Sequence, residues 1–130
     1  MERETGPLML AIHPAGFGSL RRLPLEPADQ APVVHEAVGG YFQEIGPGDW
    51  IAILNEDGKR EQQQPNLYAD ALARALGWSS RPGDFLVGPI VFASRRGDRY
   101  ADVPQRAIDL ARASGIPITG LTPGTFQEAR

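Results

Sequence analysis

Hydrophobic positions in this chain fall into short runs broken by glycine and proline, not into long periodic stretches. Leu8–His13 is an apolar run stopped by Pro14 and predicts a first strand. After the turn signal Phe17-Gly18, Leu23 and Leu25 alternate with other positions of Leu20–Leu25. That predicts an edge strand, because Pro24 is tolerated in a sheet only at an edge. Pro32–Val38 sets Val33, Val34, Ala37 and Val38 on one helical face, with Asp29 as expected N-cap and Gly39 as expected C-cap. Tyr41–Ile45 then reads as a strand, Gly46–Asp49 as a turn, and Trp50–Leu54 as a strongly apolar strand. Asp57-Gly58 predicts a hairpin whose return arm, Lys59–Gln64, is polar and exposed.

The clearest helical pattern is Leu67–Leu76, where Leu67, Tyr68, Ala71, Leu72, Ala75 and Leu76 recur at three- and four-residue spacings. Asn66 is its expected N-cap and Gly77 its stop, and Asp70 four residues before Arg74 suits both the ion pair and the helix dipole. Phe85–Val87 and Ile90–Ser94 predict one bent strand or two short ones around Gly88-Pro89, followed by a polar turn at Arg95–Arg99. Asp102, Pro104 and Gln105 mark a helix start, and that helix runs to about Ala113 before Gly115. This irregular mixture predicts an α+β fold: a small, mainly antiparallel sheet with two to three short helices. Residues 1–7 are expected as a flexible N-terminus, 8–113 as a single domain, and 114–130 as a Pro/Gly-rich tail. The apolar Ile116, Ile118, Leu121 and Phe126 of that tail are expected to dock on the same domain or on another subunit.

Composition narrows the class. The 130 residues are 42% hydrophobic and 22% charged, with 15 Gly and 12 Pro, which excludes a coiled coil, a collagen-like repeat and a membrane protein. The apolar run Leu8–Ile12 is far shorter than a bilayer span, and no secretory signal opens the chain, so a cytoplasmic location is expected. The net charge of −3 makes nucleic acid an unlikely main partner, since phosphate binding ordinarily requires a basic excess. With no cysteine there is no thiolate chemistry and no sulfur ligand. Lys59 is the single lysine among 13 basic residues. Scattered arginines of this kind point first to a GC-rich genome and only second to bidentate anion recognition.

Four segments occur in the order of a known family. Val38-Gly39-Gly40-Tyr41-Phe42-Gln43-Glu44-Ile45 looks like a VGGYxExV signature. The Asn55-Glu56-Asp57-Gly58-Lys59 turn follows, then the Pro65-Asn66 helix start with Ala69, Ala71 and Leu72, then Leu86-Val87-Gly88-Pro89-Ile90-Val91. Over roughly Leu8 to Ala93 the chain resembles the bacterial and phage family Domain of Unknown Function 3846. The resemblance implies a setting in actinobacterial chromosomes, phages and other mobile elements. It implies no activity and no catalytic residue.

Candidate chemistry is sparse. Gly39-Gly40 follows a helix and opens a strand, whereas a phosphate cradle feeds a helix N-terminus. His13 and His35 lack ligand spacing, so no metal site is expected, and none of the serines sits in a nucleophile elbow. The acidic pairs Glu56-Asp57 and Glu44/Asp49 lie near turns, where carboxylates are ordinarily solvated. No catalytic residue and no cofactor are therefore expected. Binding candidates are Tyr41, Trp50, Asn66 and Tyr68, whose rings or amide suit recognition, and the basic group Arg81, Arg95, Arg96 and Arg99. Against these stand a capping role for Asn66 and the neutralising Asp84, Asp98 and Asp102 beside the arginines. The expectation is a non-enzymatic binding or interaction module, whose partner is a protein, a second copy or a small anion. The alternatives are a phage counter-defence protein that sequesters a nucleotide-like ligand in an Arg- and aromatic-lined pocket, and a nucleic-acid accessory protein.

Overall fold

The computed structural model describes residues 6–120. In chain order these form β1 (Leu8–Ile12), β2 (Gly18–Arg22), α1 (Gln30–Val38), β3 (Phe42–Ile45), β4 (Ile51–Asn55), α2 (Leu67–Ala75), β5 (Ile90–Arg96), β6 (Arg99–Ala101), α3 (Gln105–Ala113) and β7 (Ile118–Gly120). A single 3-10 turn, Pro27–Asp29, leads into α1. The strand order is β3-β4-β5-β1-β2-β7, with β6 paired to the far end of β5. Every pairing is antiparallel except β2 with β7. The fold is α+β, as the sequence pattern predicts.

Both faces of the sheet are covered. Ala69, Leu72 and Ala73 of α2 and Ala107, Ile108 and Ala111 of α3 pack with Leu8, Leu10, Ile12, Ala52, Leu54, Ile90 and Phe92. Val34 and Val38 of α1 pack with Met9, Ile51, Ile53, Val91 and Ala93 on the opposite face. This explains why β4 reads as an unbroken apolar run: all five of its residues are buried, and a strand covered on both faces needs no polar alternation. Burying each large aliphatic side chain contributes about 1.5–3 kcal/mol. Among the described residues no helix is long and apolar enough to cross a membrane.

Several local expectations change. β2 ends at Arg22 because Pro24 offers no N–H, and it lies inside the sheet, covered by β7. Residues 116–120, expected within a tail, supply a buried Ile116 and the edge strand β7; Leu121 and Phe126 lie outside the described residues, as do residues 1–5 of the expected flexible N-terminus. Asp29 occupies the N-cap of α1 but its side chain makes no cap, because the preceding 3-10 turn holds it in a helical conformation. Gly39 does take the left-handed C-cap, at φ +84°. The Lys59–Gln64 arm forms no strand. It coils through bonds from Glu61 N to Asp57 O and Gln63 N to Gly58 O, since its all-polar sequence has no apolar face to lay on the sheet. Phe85–Val87 contributes only a Pro65–Val87 bridge.

Candidate functional site

The polar turn expected at Arg95–Arg99 is a hairpin. Strand β5 continues through Arg96, Gly97-Asp98 forms a two-residue loop, and β6 returns with Arg96 directly opposite Arg99. Gly97 has φ +67°, the positive value such a loop needs at its first position. Strand alternation sends Arg95 to one face and Arg96 to the other.

Arg95 is consumed structurally. Its guanidinium forms a two-pronged pair with Glu44 of β3, through Nε at 2.7 Å and through Nη2. It also lies 4.6 Å above the Tyr100 ring, whose hydroxyl donates to Glu44 Oε2 at 3.0 Å. Burial, and then the hydrogen bond to Glu44, push the Tyr100 phenol up to about 12. The hydrogen bonds to Glu44 hold the Arg95 guanidinium above its ordinary value. This three-residue clamp ties the base of the hairpin to the sheet.

Arg96 and Arg99 are different. Among the described residues neither has a carboxylate within 4.0 Å. Like charges placed directly opposite on paired strands are destabilising. Both residues line an open cleft of about 500 Å³ at one end of the sheet. Arg22 at the end of β2 joins them, as do Leu25, Pro27 and the buried Gln30. Gln30 is the first residue of α1, so the positive end of that helix dipole lies at the rim.

The floor of the cleft is stitched together. Asp102 Oδ1 accepts from Leu8 N at 2.7 Å and lies 3.5 Å from Arg22 Nη1, which donates to Gly6 O at 3.0 Å. Ser94 Oγ donates to Asp102 O at 2.7 Å. The cleft is thus lined by three guanidiniums and one carboxylate, which already pairs with Arg22 and serves a backbone N–H.

The other sequence candidates lie elsewhere. Trp50 is 2% exposed and packs on Phe92 with ring centroids 6.4 Å apart, so it belongs to the core and not to a surface. Asn66 is fully buried: Oδ1 accepts from Ala69 N, while Nδ2 donates to Ile12 O and Gly88 O. Tyr41 is exposed, with His35 edge-on at 5.2 Å, and Tyr68 is exposed against Gly16 at the β1–β2 turn. Arg81 is exposed in the loop after α2, remote in sequence from the cleft. Only Arg96 and Arg99 of the eight candidates meet with an unfilled role. Pattern reading missed Arg22 and Gln30, because nothing local in either segment reveals that β2, α1 and the hairpin end at the same place.

Two acidic groups near α2 are engaged in ion pairs. Asp70 pairs with Arg74 at 2.5 Å and accepts from Leu86 N at 3.0 Å. Asp84 pairs with Lys59, which holds its carboxyl below the usual carboxylate range. Among the described residues no group of three or more His, Asp or Glu is arranged to hold a metal ion. A smaller cleft of about 210 Å³ is lined by Ile45, Leu54, Glu56, Trp78, Phe85 and the Lys59–Asp84 pair, so its one lysine is already paired.

A family model described as Domain of unknown function (DUF3846) matches residues 21–114. No curated protein and no solved structure matches the chain.

Proposed function

We propose that this chain, which belongs to the DUF3846 family, is a non-enzymatic binding module that holds a small anionic molecule in the cleft between β2, the start of α1 and the β5–β6 hairpin. One observation carries the reading: Arg96 and Arg99 stand opposite each other, lack acidic partners among the described residues, and open onto a cleft of about 500 Å³. Pockets of roughly 300–1,000 Å³ suit small ligands. A like-charge pair that costs stability is what an anion would repay.

A binding role fits the rest of the site better than catalysis does. Glu44, Asp70 and Asp84 are spent on ion pairs. His13 stacks on Phe17 and His35 abuts Tyr41, away from the cleft. The setting we favour is the cytoplasm of a bacterium or its phage, where the module acts by sequestering its ligand. The arginine-rich, cysteine-free composition is in keeping with that setting.

The test is calorimetric titration with inorganic pyrophosphate at low ionic strength. Charged hydrogen bonds contribute about 1.5–3 kcal/mol each. Arg96→Ser and Arg99→Ser are therefore each expected to weaken binding by roughly tenfold or more, while the melting temperature of the ligand-free protein rises slightly because the like-charge pair is relieved. Binding that is absent, or indifferent to both substitutions, refutes the reading. So does a gel shift showing Arg96-dependent nucleic-acid binding tighter than pyrophosphate binding.

A further inference from the structure

The cleft is chemically uneven. Arg96 and Arg99 stand at the hairpin side and supply forked donors suited to phosphate oxygens. The opposite wall, from Leu25 and Pro27, is apolar, and Leu25 is 45% exposed. Gln30 lies beside that wall and is 94% buried. Its Nε2 donates to Pro24 O at 2.9 Å, and its amide oxygen has no donor among the described residues. That oxygen is not a buried orphan, so water serves it until a ligand N–H takes the water's place.

We infer that the ligand is a nucleoside monophosphate or a close relative: a phosphate held by Arg96 and Arg99, a ring face laid on Leu25 and Pro27, and a base N–H donated to the Gln30 amide oxygen. This rests on the small-anion reading of the same cleft. A bare phosphate would satisfy the arginines and leave the apolar wall and Gln30 to water. A nucleoside without phosphate would leave the arginine pair facing itself. Polymeric nucleic acid fits less well, because only three of the scattered arginines line the cleft and the chain carries a net charge of −3.

The experiment compares AMP, purine riboside 5′-monophosphate, ribose 5-phosphate and adenosine by titration against the intact protein. AMP is expected to bind at least tenfold more tightly than ribose 5-phosphate. Purine riboside 5′-monophosphate, which lacks the amino N–H, is expected to fall between them, and adenosine to bind more weakly than all three. Gln30→Met should reduce AMP to the level of purine riboside 5′-monophosphate while leaving ribose 5-phosphate unchanged, and that unchanged value verifies an intact cleft. If Gln30→Met does not fold, the AMP-to-analogue ratio on the native chain decides. Equal binding of all phosphate esters overturns the nucleotide inference and leaves the anion site standing. No binding of any phosphate overturns both.

Discussion

Replacing Asn66 separates two roles that the sequence merges into one. As an N-cap alone, Asn66 is interchangeable with Asp, since the two are equally good caps. In the structure its Nδ2 also donates to Ile12 O at 2.9 Å and Gly88 O at 2.8 Å, joining the end of β1 to the segment before β5. All of this is fully buried. Asn66→Ala loses the cap, worth about 1 kcal/mol. It also strands two carbonyls, at about 1 kcal/mol each. The expected loss is about 3 kcal/mol, a large share of the roughly 5–15 kcal/mol typical of a domain. Asn66→Asp keeps the cap but turns a carboxylate oxygen toward two carbonyl oxygens. It is expected to be at least as damaging at neutral pH, and to recover partly in acid, where the protonated carboxyl donates again. Urea unfolding followed by the fluorescence of buried Trp50 measures both. An Asp variant within about 0.5 kcal/mol of the native protein would refute the bridging role.

Two further outcomes follow from geometry. Gly88 has φ +76°, and a Cβ there would overlap the buried Gln63 Oε1; Gly88→Ala is expected to cost about 2–4 kcal/mol from left-handed strain and overpacking together. In a Gln63→Ala background the cost should fall to the strain alone, about 1–2 kcal/mol, and equal urea-midpoint shifts in both backgrounds would count against the overlap. The Tyr100 phenol, pushed from 10.0 up to about 12, favours its neutral form in the folded state. Its contribution to stability is therefore complete below pH 10 and lost as pH rises toward about 12. Ultraviolet titration should find one tyrosine ionising late, and Glu44→Gln should bring it down; an unmoved titration in that variant would exclude the clamp.

What could be read in advance depended on how local the cause was. The α2 helix was legible because Asn66, Asp70, Arg74 and Gly77 act within one or two turns of each other. β4 was legible because its burial on both faces makes it apolar throughout. β7 was not, since Ile118-Thr119-Gly120 has no strand pattern of its own and is fixed by pairing with Gly18–Leu20 a hundred residues earlier. The hairpin was hidden for a related reason. Arg95, Arg96 and Arg99 look alike as a charged run, yet the pleat sends Arg95 to Glu44 and leaves the other two on the cleft. Trp50 misled because an indole suits a core and a surface equally, and only the position of Phe92 decides between them.

The central place of β1 has a consequence for synthesis. Its apolar sequence Leu8–Ile12 leaves the ribosome well before its neighbour β5, where Ile12 pairs with Ile90. At about 5–20 residues per second, roughly 4–16 s pass before that partner exists. Until then both edges of the β1–β2 hairpin are open, since β7 follows later still, and four leucine and isoleucine side chains that later enter the core are uncovered. An open strand edge of this kind is a template for pairing with another chain during the interval. Yield of native protein should therefore respond to translation speed through the stretch between Pro14 and Pro89 more than to any change made after β5 is complete.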